Sequence, residues 1–593
     1  MSEYDAPVRD MQFVISELIG LGRFSEYSGC EDVSDDLVAA VLTEAAKMAR
    51  DVLAPLNRVG DLEGCRLEGD VVHTPPGWRD AYQAFCASGW CALSMSPEYG
   101  GQDLPKLIAT AVSEMWDSAN MAFGLCPLLT GGAIEAIEHH GSAELRAIYL
   151  EKLVSGEWAG TMNLTEPQAG SDLSAVRTRA VPQGDHYLIS GQKIFITYGE
   201  HDLTENIIHL VLARTPDAPA GTRGISLFVV PKYLVNSDGS LGPRNDLRCV
   251  SLEHKLGIHA SPTAVMSYGD SDGAIGYLVG DENRGLMHMF TMMNAARHAV
   301  GREGVALSEA AYQHARSYAL DRVQGQAPGG AEGAAIIAHP DVKRMLMTMK
   351  SQTEAMRALT LVCALSYDTA QRHTDPEQRS AAARRGDLLT PIVKGWSTET
   401  AQQITALGVQ VHGGMGFIEE TGAAQFQRDA RITTIYEGTT GIQAGDLVGR
   451  KTLRDGGSAM LELLTDIEQT VASMAEAGLP VAGVRDALAA GVADLRAVVQ
   501  WLLAGADDPR LAAAAANSYL QLAGVVCGGW MMAESAVKSA AALAAGGGEA
   551  DFYHAKLAAA KFYAAQILPQ TSALAHTIMH GSDAIVDLDL AHF

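Results

Sequence analysis

Positive charge and long apolar runs are both scarce in this sequence. Its 593 residues contain 44 Lys and Arg against 70 Asp and Glu, so the formal net charge is −26. A surface built to coat nucleic acid needs an excess of cations, so we expect no nucleic-acid partner. No continuous apolar run has the length of a membrane span, and the acidic, polar start MSEYDAPVRD does not resemble a secretory signal. The sequence therefore predicts neither a membrane span nor export.

Cysteine and aromatic residues are also sparse. The eight cysteines form no CxxC pair, and their spacing suits neither a zinc site nor a dense disulfide scaffold. We therefore expect reduced thiols in a cytoplasmic protein without a metal site. Aromatic residues make up 6% of the chain, hydrophobic residues 47% and charged residues 19%. This composition is typical of a globular protein and not of a disordered one.

The order of sequence patterns predicts a mainly α-helical protein with an inserted β domain. A chain of this length exceeds one hydrophobic core, so roughly two to four structural units are expected. Helical spacing of apolar residues at 35–51 and beyond 286 contrasts with short β-branched runs at 158–285, which indicate a small antiparallel barrel or sandwich. The predicted divisions are an N-terminal extension (1–34), an N-terminal helical domain (35–160), a β domain (161–284), a helical bundle (285–454) and an appended C-terminal helical domain (458–593).

Two segments near the predicted β domain contain the residues of a ligand-binding site. The stretch LTEPQAGSD at 164–172 includes Gly170 and Ser171, whose backbone N–H groups and hydroxyl could hold a polar ring edge or a phosphate; an ordinary turn is equally consistent. The stretch GQKIFIT at 191–197 points Phe195 and Thr197 to one face of a strand, where they could stack on and hydrogen-bond to a flat cofactor. A plain core strand explains this second stretch equally well.

A carboxylate in a third segment is a candidate general base. The stretch RDARITTIYEGTT at 428–440 places Glu437 between an apolar run and Gly438, at the predicted start of a helix. Removal of water from a carboxylate there would raise its pKa toward the value that proton abstraction needs. Taken alone, the segment favours a simpler interpretation, in which the glutamate interacts with the helix dipole.

The segments become specific when they are read together. TEPxAGSD, GQKxFIT, GGxGF (413–417) and RDARITTIYEGTT occur in this order, and over residues 35–450 the chain resembles the acyl-CoA dehydrogenase family. The layout of that family, a β domain between two helical domains, agrees with the divisions above. Further stretches, among them 4–18, 292–297 and 339–346, are similar to a long subgroup with an extra C-terminal helical domain, which includes the 3-methylmercaptopropionyl-CoA dehydrogenases.

The resemblance implies an activity, a cofactor and partners. Members of this family oxidise an acyl-CoA thioester to the trans-2-enoyl-CoA, as in fatty acid β-oxidation, with FAD as the hydride acceptor. They pass the electrons to an electron-transfer flavoprotein. Their FAD sites are shared between subunits, which implies a homodimer or a dimer of dimers.

The resemblance also implies roles for individual residues. Glu437 corresponds to the base that takes the α-proton, and its backbone N–H, with a flavin ribityl hydroxyl, would bind the thioester oxygen as an oxyanion hole. Ser171, Arg297 and Gly438 correspond to positions on the substrate side, although Arg297 could instead be a structural ion-pair partner. The implied FAD contacts, some of them across the dimer interface, are Met162, Leu164, Thr165, Gly170, Ser171, Phe195, Thr197, Arg322, Gln324, Gln410, Gly413, Gly414 and Thr439.

The sequence departs from the family at two positions and leaves three alternatives. Gly441 and Asn294 stand where the family commonly has a polar residue and an aspartate, which leaves the exact CoA contacts open. The identity of the acyl group is also open. The alternatives on the same fold are a DNA-associated flavoprotein like the alkylation-response relatives, an oxygen-using acyl-CoA oxidase and a catalytically silent assembly protein. The few Lys and Arg residues in 458–593 disfavour the first, and the intact Glu437 and FAD motifs disfavour the last.

Overall fold

A computed structural model describes residues 4–329, 333–476, 481–546 and 548–593. The chain divides into two compact units. The helical unit comprises Met1–Ala46, Lys106–Ser118 and Arg297–Phe593, and the sheet unit comprises Lys47–Pro105 and Ala119–Ala296. The division does not follow the order of the chain, because both the first and the last segments belong to the helical unit.

Helices form most of the chain, and several begin with a capping side chain. Ser142, Asp375 and Asp508 each accept a hydrogen bond from a backbone N–H in the first turn of the helix that follows. In chain order the α-helices are α1 (Val8–Gln12), α2 (Asp35–Met48), α3 (Ala54–Glu63), α4 (Trp78–Ala87), α5 (Lys106–His140), α6 (Ala143–Val154), α7 (Gly285–Asp321), α8 (Pro340–Arg372), α9 (Pro376–His412), α10 (Ala423–Ala430), α11 (Thr440–Gly445), α12 (Ser458–Glu476), α13 (Ala482–Ala504), α14 (Pro509–Ala544), α15 (Ala550–Gln566) and α16 (Gln570–Val586).

The strands all belong to the sheet unit. They are β1 (Arg66–Glu68), β2 (Val71–His73), β3 (Trp158–Asn163), β4 (Arg179–Gln183), β5 (His186–Thr197), β6 (Asn206–Ala213), β7 (Ser226–Pro231), β8 (Tyr233–Val235), β9 (Leu241–Arg244), β10 (Leu247–Leu252), β11 (Thr263–Tyr268) and β12 (Ala274–Leu278). Strands β1 and β2 pair with each other, as do β8 and β9. The remaining strands form one eight-stranded sheet in the order β10-β11-β5-β12-β7-β6-β3, with β4 paired to β5.

This sheet confirms the mainly α fold with an inserted β domain and differs from the prediction in one respect. Strands β3 and β6 run parallel, whereas all the other pairs in the sheet are antiparallel. The parallel pair is sterically possible because a connection of some 40 residues, which itself contains β4 and β5, joins the two strands. Every residue of β6 and β7 is buried, so both faces of the sheet are covered there.

A buried set of charged side chains ties together distant segments of the helical unit. The guanidinium of Arg357 on α8 contacts three carboxylates at 2.7–2.8 Å, those of Asp10 on α1, Glu114 on α5 and Glu309 on α7. The ammonium of Lys556 on α15 lies 2.6 Å from the Asp10 carboxylate. The N-terminal segment is thus bonded to both the bundle and the appended C-terminal helices. We call this set the anchor network: Asp10, Glu114, Glu309, Lys350, Glu354, Arg357 and Lys556.

Shape complementarity also joins the C-terminal helices to the bundle. Gly524 and Gly528 lie four residues apart on α14, so they share one face of the helix. The side chain of Trp396 from α9 packs against that face, and a Cβ added at Gly524 would lie 2.1 Å from Trp396 Cγ. Only glycine fits this contact, which lets the indole ring approach the α14 backbone.

Three helices are long and apolar enough, by length and composition alone, to cross a membrane, although the sequence has no unbroken apolar run of that length. Among the residues described, these are Lys106–His140, Ala482–Ala504 and Pro509–Ala544. Their most apolar windows are 72%, 39% and 67% buried within the structure. Polar and charged residues interrupt the apolar residues in all three helices, so none of them contains a single unbroken apolar run of that length.

The low-complexity stretch at 326–333 was predicted to be a flexible surface loop between two helices. Residues 330–332 of this stretch lie outside the described residues. The described part falls between α7 and α8, where the sequence placed it.

Candidate active site

The sheet unit positions the first of the predicted cofactor segments directly after β3. Met162 is buried in this strand, and Leu164 and Thr165 follow it at half-buried positions. The backbone N–H of Ile194 on β5 donates to the Thr165 carbonyl at 2.9 Å. The ammonium of Lys193 donates to the Leu164 carbonyl, also at 2.9 Å. The two motifs, twenty residues apart in the chain, therefore form one structure.

A buried ion pair holds this structure together. The carboxylate of Glu166 receives hydrogen bonds from Lys193 Nζ at 2.8 Å and from the backbone N–H groups of Arg177 and Thr178 at 2.7 and 3.0 Å. These partners lower the pKa of Glu166 to about 2 against the opposing effect of burial. Burial lowers the pKa of Lys193 to about 8 in spite of its carboxylate partner. The pair fixes the loop but leaves Gly170 and Ser171 exposed.

The two motifs also carry an exposed aromatic ring and two hydroxyls without hydrogen-bond partners among the described residues. Phe195 is 58% exposed and has a φ of 59°, a left-handed conformation that is rare for an aromatic residue. The pairing of β5 with β11 shifts register between Lys193 and Ile196, so Phe195 lies at a β-bulge and not in a plain core strand. The hydroxyls of Thr165 and Thr197 make no hydrogen bond to any residue in the described ranges. A solvent-exposed aromatic ring can stack on a flat cofactor such as a flavin, and hydroxyls that are free to form hydrogen bonds can bind its polar groups.

The remaining predicted FAD residues belong to the helical unit, where most of them are exposed. Arg322 and Gln324 follow α7, and the Arg322 guanidinium donates to the Gln324 side-chain oxygen at 3.3 Å. Gln410 lies in the last turn of α9, and Gly413, with a φ of 60°, ends that helix; Gly414 follows. Thr439 caps α11 through its hydroxyl, which accepts from the N–H of Ile442. This unit thus presents polar groups and bare backbone that suit the phosphate and adenine portions of a dinucleotide.

The candidate base lies in a short loop between a 3₁₀ turn at Arg431–Thr434 and α11. The sequence placed Glu437 at the start of a helix, whereas α11 begins three residues later because Thr439 is its N-cap. Glu437 has a φ of 53° and is followed by Gly438 with a φ of 90°. A non-glycine residue in this region is strained, and strain of this kind is common at functional sites.

Neighbouring side chains pin the backbone of this loop. The ammonium of Lys394 on α9 donates to the Gly438 carbonyl at 2.9 Å. The side-chain amide of Gln443 donates to the carbonyls of Glu437 and Gly438 at 3.3 and 3.2 Å. No residue in the described part of the chain accepts a hydrogen bond from the Glu437 N–H. The loop therefore presents a free N–H beside a carboxylate.

The electrostatics around Glu437 favour a carboxyl group that can exchange a proton. Burial raises the pKa of Glu437 above its ordinary value, while the cations of Arg297 and Lys394 lower it. Burial lowers the pKa of Lys394 to about 8, and its carboxylate neighbours oppose that shift. Arg297 is only 5% exposed, and its Nη1 lies 3.8 Å from an oxygen of Asp446. Its Nε has no hydrogen-bond partner among the described residues, so Arg297 is not fully committed to a structural ion pair.

A second buried carboxylate lies behind the base. Glu303 on α7 accepts a hydrogen bond from the hydroxyl of Tyr436, the residue that precedes Glu437. Burial raises the pKa of Glu303 well above the ordinary value, and the charges of Asp117 and Glu437 add to the rise. We call this group the base cluster: Arg297, Glu303, Lys394, Tyr436 and Glu437.

Several of these residues were not predicted from the sequence. Glu303, Lys394 and Tyr436 lie near Glu437 only because the loop contacts α7 and α9. Tyr436 stands within the recognised motif, and so do Glu166 and Lys193, so the motifs themselves could have indicated these three. Glu303 and Lys394 carry no such signal. In the described ranges, no group of three or more His, Cys, Asp or Glu side chains is arranged to hold a metal ion.

Models of known sequence families match nearly the whole chain. Three models of the acyl-CoA dehydrogenase family match: the N-terminal domain over residues 39–157, the middle domain over 161–270 and the C-terminal domain over 283–451. A further model, described as acetyl-CoA dehydrogenase C-terminal like, matches residues 463–589.

Known proteins resemble the chain over its full length. It is 50% identical to the 3-methylmercaptopropionyl-CoA dehydrogenase of Ruegeria pomeroyi, with 99% of this chain and 100% of that protein covered. It is 35% identical to a butyryl-CoA dehydrogenase of Syntrophomonas wolfei, with coverage of 95% and 94%. The solved structure of Caenorhabditis elegans ACDH-11 in complex with C11-CoA shares the fold, with a TM-score of 0.75 at 21% identity and coverage of 96% and 93%. With the family models, these matches show that the chain belongs to the acyl-CoA dehydrogenase family and is an FAD-dependent acyl-CoA dehydrogenase.

Proposed function

We propose that Glu437 is the general base that removes the α-proton of the acyl-CoA thioester. The observation that carries this proposal is the loop itself, in which a carboxylate of raised pKa stands next to a free backbone N–H. A base works best when its pKa lies near the working pH, and burial moves Glu437 in that direction.

Removal of an α-proton develops negative charge on the thioester oxygen, and this charge needs a preorganised donor. The free N–H of Glu437 can supply one hydrogen bond to that oxygen, and each such donor contributes about 3–4 kcal/mol to the transition state. Lys394 and Gln443 hold the adjacent carbonyls, which keeps this N–H from turning away. FAD, when bound, supplies the acceptor for the β-hydrogen.

For the cofactor site we propose the exposed residues of the two motifs at 164–172 and 191–197 of the sheet unit. Phe195 would pack on the flavin ring, and Thr165 and Thr197 would donate to the polar edge of that ring. The ion pair of Glu166 with Lys193 would keep the two motifs in place. Arg322, Gln324, Gln410 and the glycines after α9 would reach FAD across a homodimer interface, which the family resemblance supports.

The proposed substrate is a short-chain acyl-CoA of the size of 3-methylmercaptopropionyl-CoA. Support comes from the Ruegeria protein of that name, which matches at 50% identity over 99% of this chain and 100% of its own length. The butyryl-CoA dehydrogenase of Syntrophomonas, which is named for a short-chain substrate, supports the same size class. Ser171, Arg297 and Gly438 remain the proposed contacts on the substrate side.

Anaerobic bleaching of the bound flavin tests the base and the substrate together. The purified protein, loaded with FAD, is mixed with propionyl-, butyryl-, octanoyl-, palmitoyl- and 3-methylmercaptopropionyl-CoA, and Glu437→Gln is run beside the wild type. We expect fast bleaching by butyryl- or 3-methylmercaptopropionyl-CoA that is lost in the variant. Faster bleaching by palmitoyl-CoA would contradict the substrate class, and bleaching by Glu437→Gln at the wild-type rate would contradict the base.

We also propose an electron-transfer flavoprotein as the electron acceptor, a homodimer or dimer of dimers, and a cytoplasmic location. The family resemblance supports the first two, and the eight free cysteines support a reducing compartment. The net charge of −26 supports the absence of a nucleic-acid partner. Hydrogen peroxide release in air as fast as substrate oxidation would instead indicate an oxidase.

A further inference from the structure

The carboxylate of Glu303 has no role in the chemistry proposed above. Glu303 is 1% exposed in the middle of α7, and the Tyr436 hydroxyl donates a hydrogen bond to its carboxylate. No Lys, Arg or His in the described residues lies within ion-pair distance of it. The adjacent cation, Arg302, points its Nε at Asp117 at 2.9 Å. A buried carboxylate that lacks a cation is unfavourable, so its presence calls for a reason.

The position of Tyr436, which donates the hydrogen bond to Glu303, suggests that reason. Tyr436 immediately precedes Glu437, the residue with the strained φ of 53°. On the far side of Glu437, Lys394 and Gln443 hold the carbonyl of Gly438. The hydrogen bond from Tyr436 to Glu303 is the matching restraint on the near side. The strained residue is thus fixed from both sides, to α7 and to α9.

We propose that Glu303 is a positioning residue for the base: by accepting the hydrogen bond of Tyr436, it holds the loop in the conformation that presents the Glu437 carboxylate and N–H. This inference depends on the proposed role of Glu437 as the base. A base that is misplaced by about 1 Å can lose about a hundredfold in rate, so a restraint on the neighbouring residue affects the rate directly.

The charge of Glu437 also acts on Glu303 through space, because it raises the pKa of Glu303. Other charges surround this pair on every element that packs against the loop. They are Asp117 on α5; Arg297 and Arg302 on α7; Asp387, Lys394 and Glu399 on α9; and Asp446 and Arg450 in the turn after α11.

The first test removes the hydrogen bond with the loss of a single oxygen atom. In Tyr436→Phe we expect the limiting bleaching rate to fall about tenfold or more while the KM for butyryl- or 3-methylmercaptopropionyl-CoA changes less than about twofold. Tyr519→Phe is the matched control, because Tyr519 is also buried and its hydroxyl lies 2.9 Å from that of Thr452 in the C-terminal part of the same unit. The control should keep the wild-type rate.

The second test keeps the acceptor and removes the charge. In Glu303→Gln the amide oxygen still accepts from Tyr436, so the limiting rate should stay within about threefold of the wild type. Its KM and FAD content should also stay within about twofold of the wild type, because the loop keeps its hydrogen bond.

Melting temperature against pH supplies a readout that needs no turnover. The pKa of Glu303 is raised in the folded state, so its ionisation destabilises the wild type as pH rises from about 4.5 upward. Glu303→Gln removes this penalty. The difference in melting temperature, variant minus wild type, should therefore increase between pH 5 and about pH 9.

The possible results separate this inference from the proposed base. The inference is supported by a rate loss in Tyr436→Phe at constant KM and FAD content, together with a limiting rate in Glu303→Gln that stays within about threefold of the wild type. An unchanged rate in Tyr436→Phe would overturn it, and so would a change confined to KM or FAD content. If Glu303→Gln does not fold, Tyr436→Phe decides alone. Wild-type bleaching by Glu437→Gln would instead remove the base assignment itself.

Discussion

The anchor network and the base cluster are both buried charge clusters of the helical unit, but they differ in how their carboxylates are compensated. In the anchor network, one guanidinium contacts three carboxylates at 2.7–2.8 Å. Cations there hold the pKa of Asp10 far below its usual range, although burial still raises that of Glu114 to about 7. In the base cluster, Glu303 and Glu437 have no such contact within the described residues, and the pKa of each is raised. Charge is compensated where helices must stay together and is left uncompensated where a proton must move.

The largest effect should come from the base cluster. Glu437→Gln removes the proposed proton acceptor but keeps the size of the side chain. We expect bleaching by the best acyl-CoA to slow about 10²- to 10⁴-fold, the range for loss of a general base. Stopped-flow absorbance under nitrogen measures the rate, and FAD content serves as the control. The melting temperature should not fall, because a buried charge has been removed; a clear fall would mean that Glu437 is structural.

Breaking the anchor network should affect stability and leave the chemistry intact. Arg357→Met leaves the carboxylates of Asp10, Glu114 and Glu309 buried without their shared cation, which should cost about 3–5 kcal/mol of unfolding free energy. The loss should grow as pH rises, because the carboxylates can protonate at lower pH. Urea unfolding at pH 6 and pH 8 measures it.

Arg485→Met is the matched control for this change. Arg485 pairs with Asp486 on the surface, so its loss should cost less than about 1 kcal/mol. An equal loss of unfolding free energy in both variants would show that the anchor network is not a special source of stability. A lower bleaching rate per bound FAD in Arg357→Met would show that the anchor network also affects the chemistry.

A third buried charge pair, Glu166 with Lys193 in the sheet unit, extends the comparison to the proposed flavin site. Glu166→Gln removes a carboxylate whose pKa is lowered to about 2 in the fold, so it should cost about 2 kcal/mol near neutral pH and weaken FAD retention. The stabilisation is present above the unfolded pKa of about 4.5 and is lost as pH falls from there toward about 2. The wild type should therefore show an acid limb in melting temperature that the variant lacks. A parallel pH dependence in both proteins would contradict this expectation.

The smallest effect tests whether shape contributes to the C-terminal attachment alongside charge. Gly524→Ala forces a Cβ against the indole of Trp396, which should cost about 1–2 kcal/mol. Gly483→Ala on α13 is the control, because no atom lies within 4 Å of the added Cβ. The control should be neutral or stabilising by up to about 1 kcal/mol, since alanine favours a helix. A neutral Gly524→Ala would assign the attachment to the anchor network alone.

The fold class could be predicted from the sequence because it depends on local patterns, whereas Glu437 was identified as the candidate base only from the order of several motifs. Helical and strand patterns mark the two kinds of domain, and the motifs around Thr165, Phe195 and Glu437 are short and ordered along the chain. The assigned roles of the FAD and substrate residues stay predictions, as do the five domain boundaries.

The compensation of charge could not be predicted, because it depends on contacts between distant residues. Glu303 and Tyr436 are 133 residues apart in the chain, and Arg357 and Glu114 are 243 apart. Nothing near Glu303 in the sequence distinguishes it from Glu309, although the first accepts from a phenol and the second from a guanidinium. Likewise, the β-bulge at Phe195 and the parallel pairing of β3 with β6 follow from neighbouring strands that the sequence pattern does not specify.

The bond between Asp10 and Lys556 also constrains how the protein is made. The two residues are 546 positions apart, so a ribosome that adds about 5–20 residues per second needs roughly half a minute to two minutes to produce the second after the first. During that time the carboxylate of Asp10 lacks one of its cations and the bundle lacks α15. The helical unit can therefore complete its core only at the end of translation.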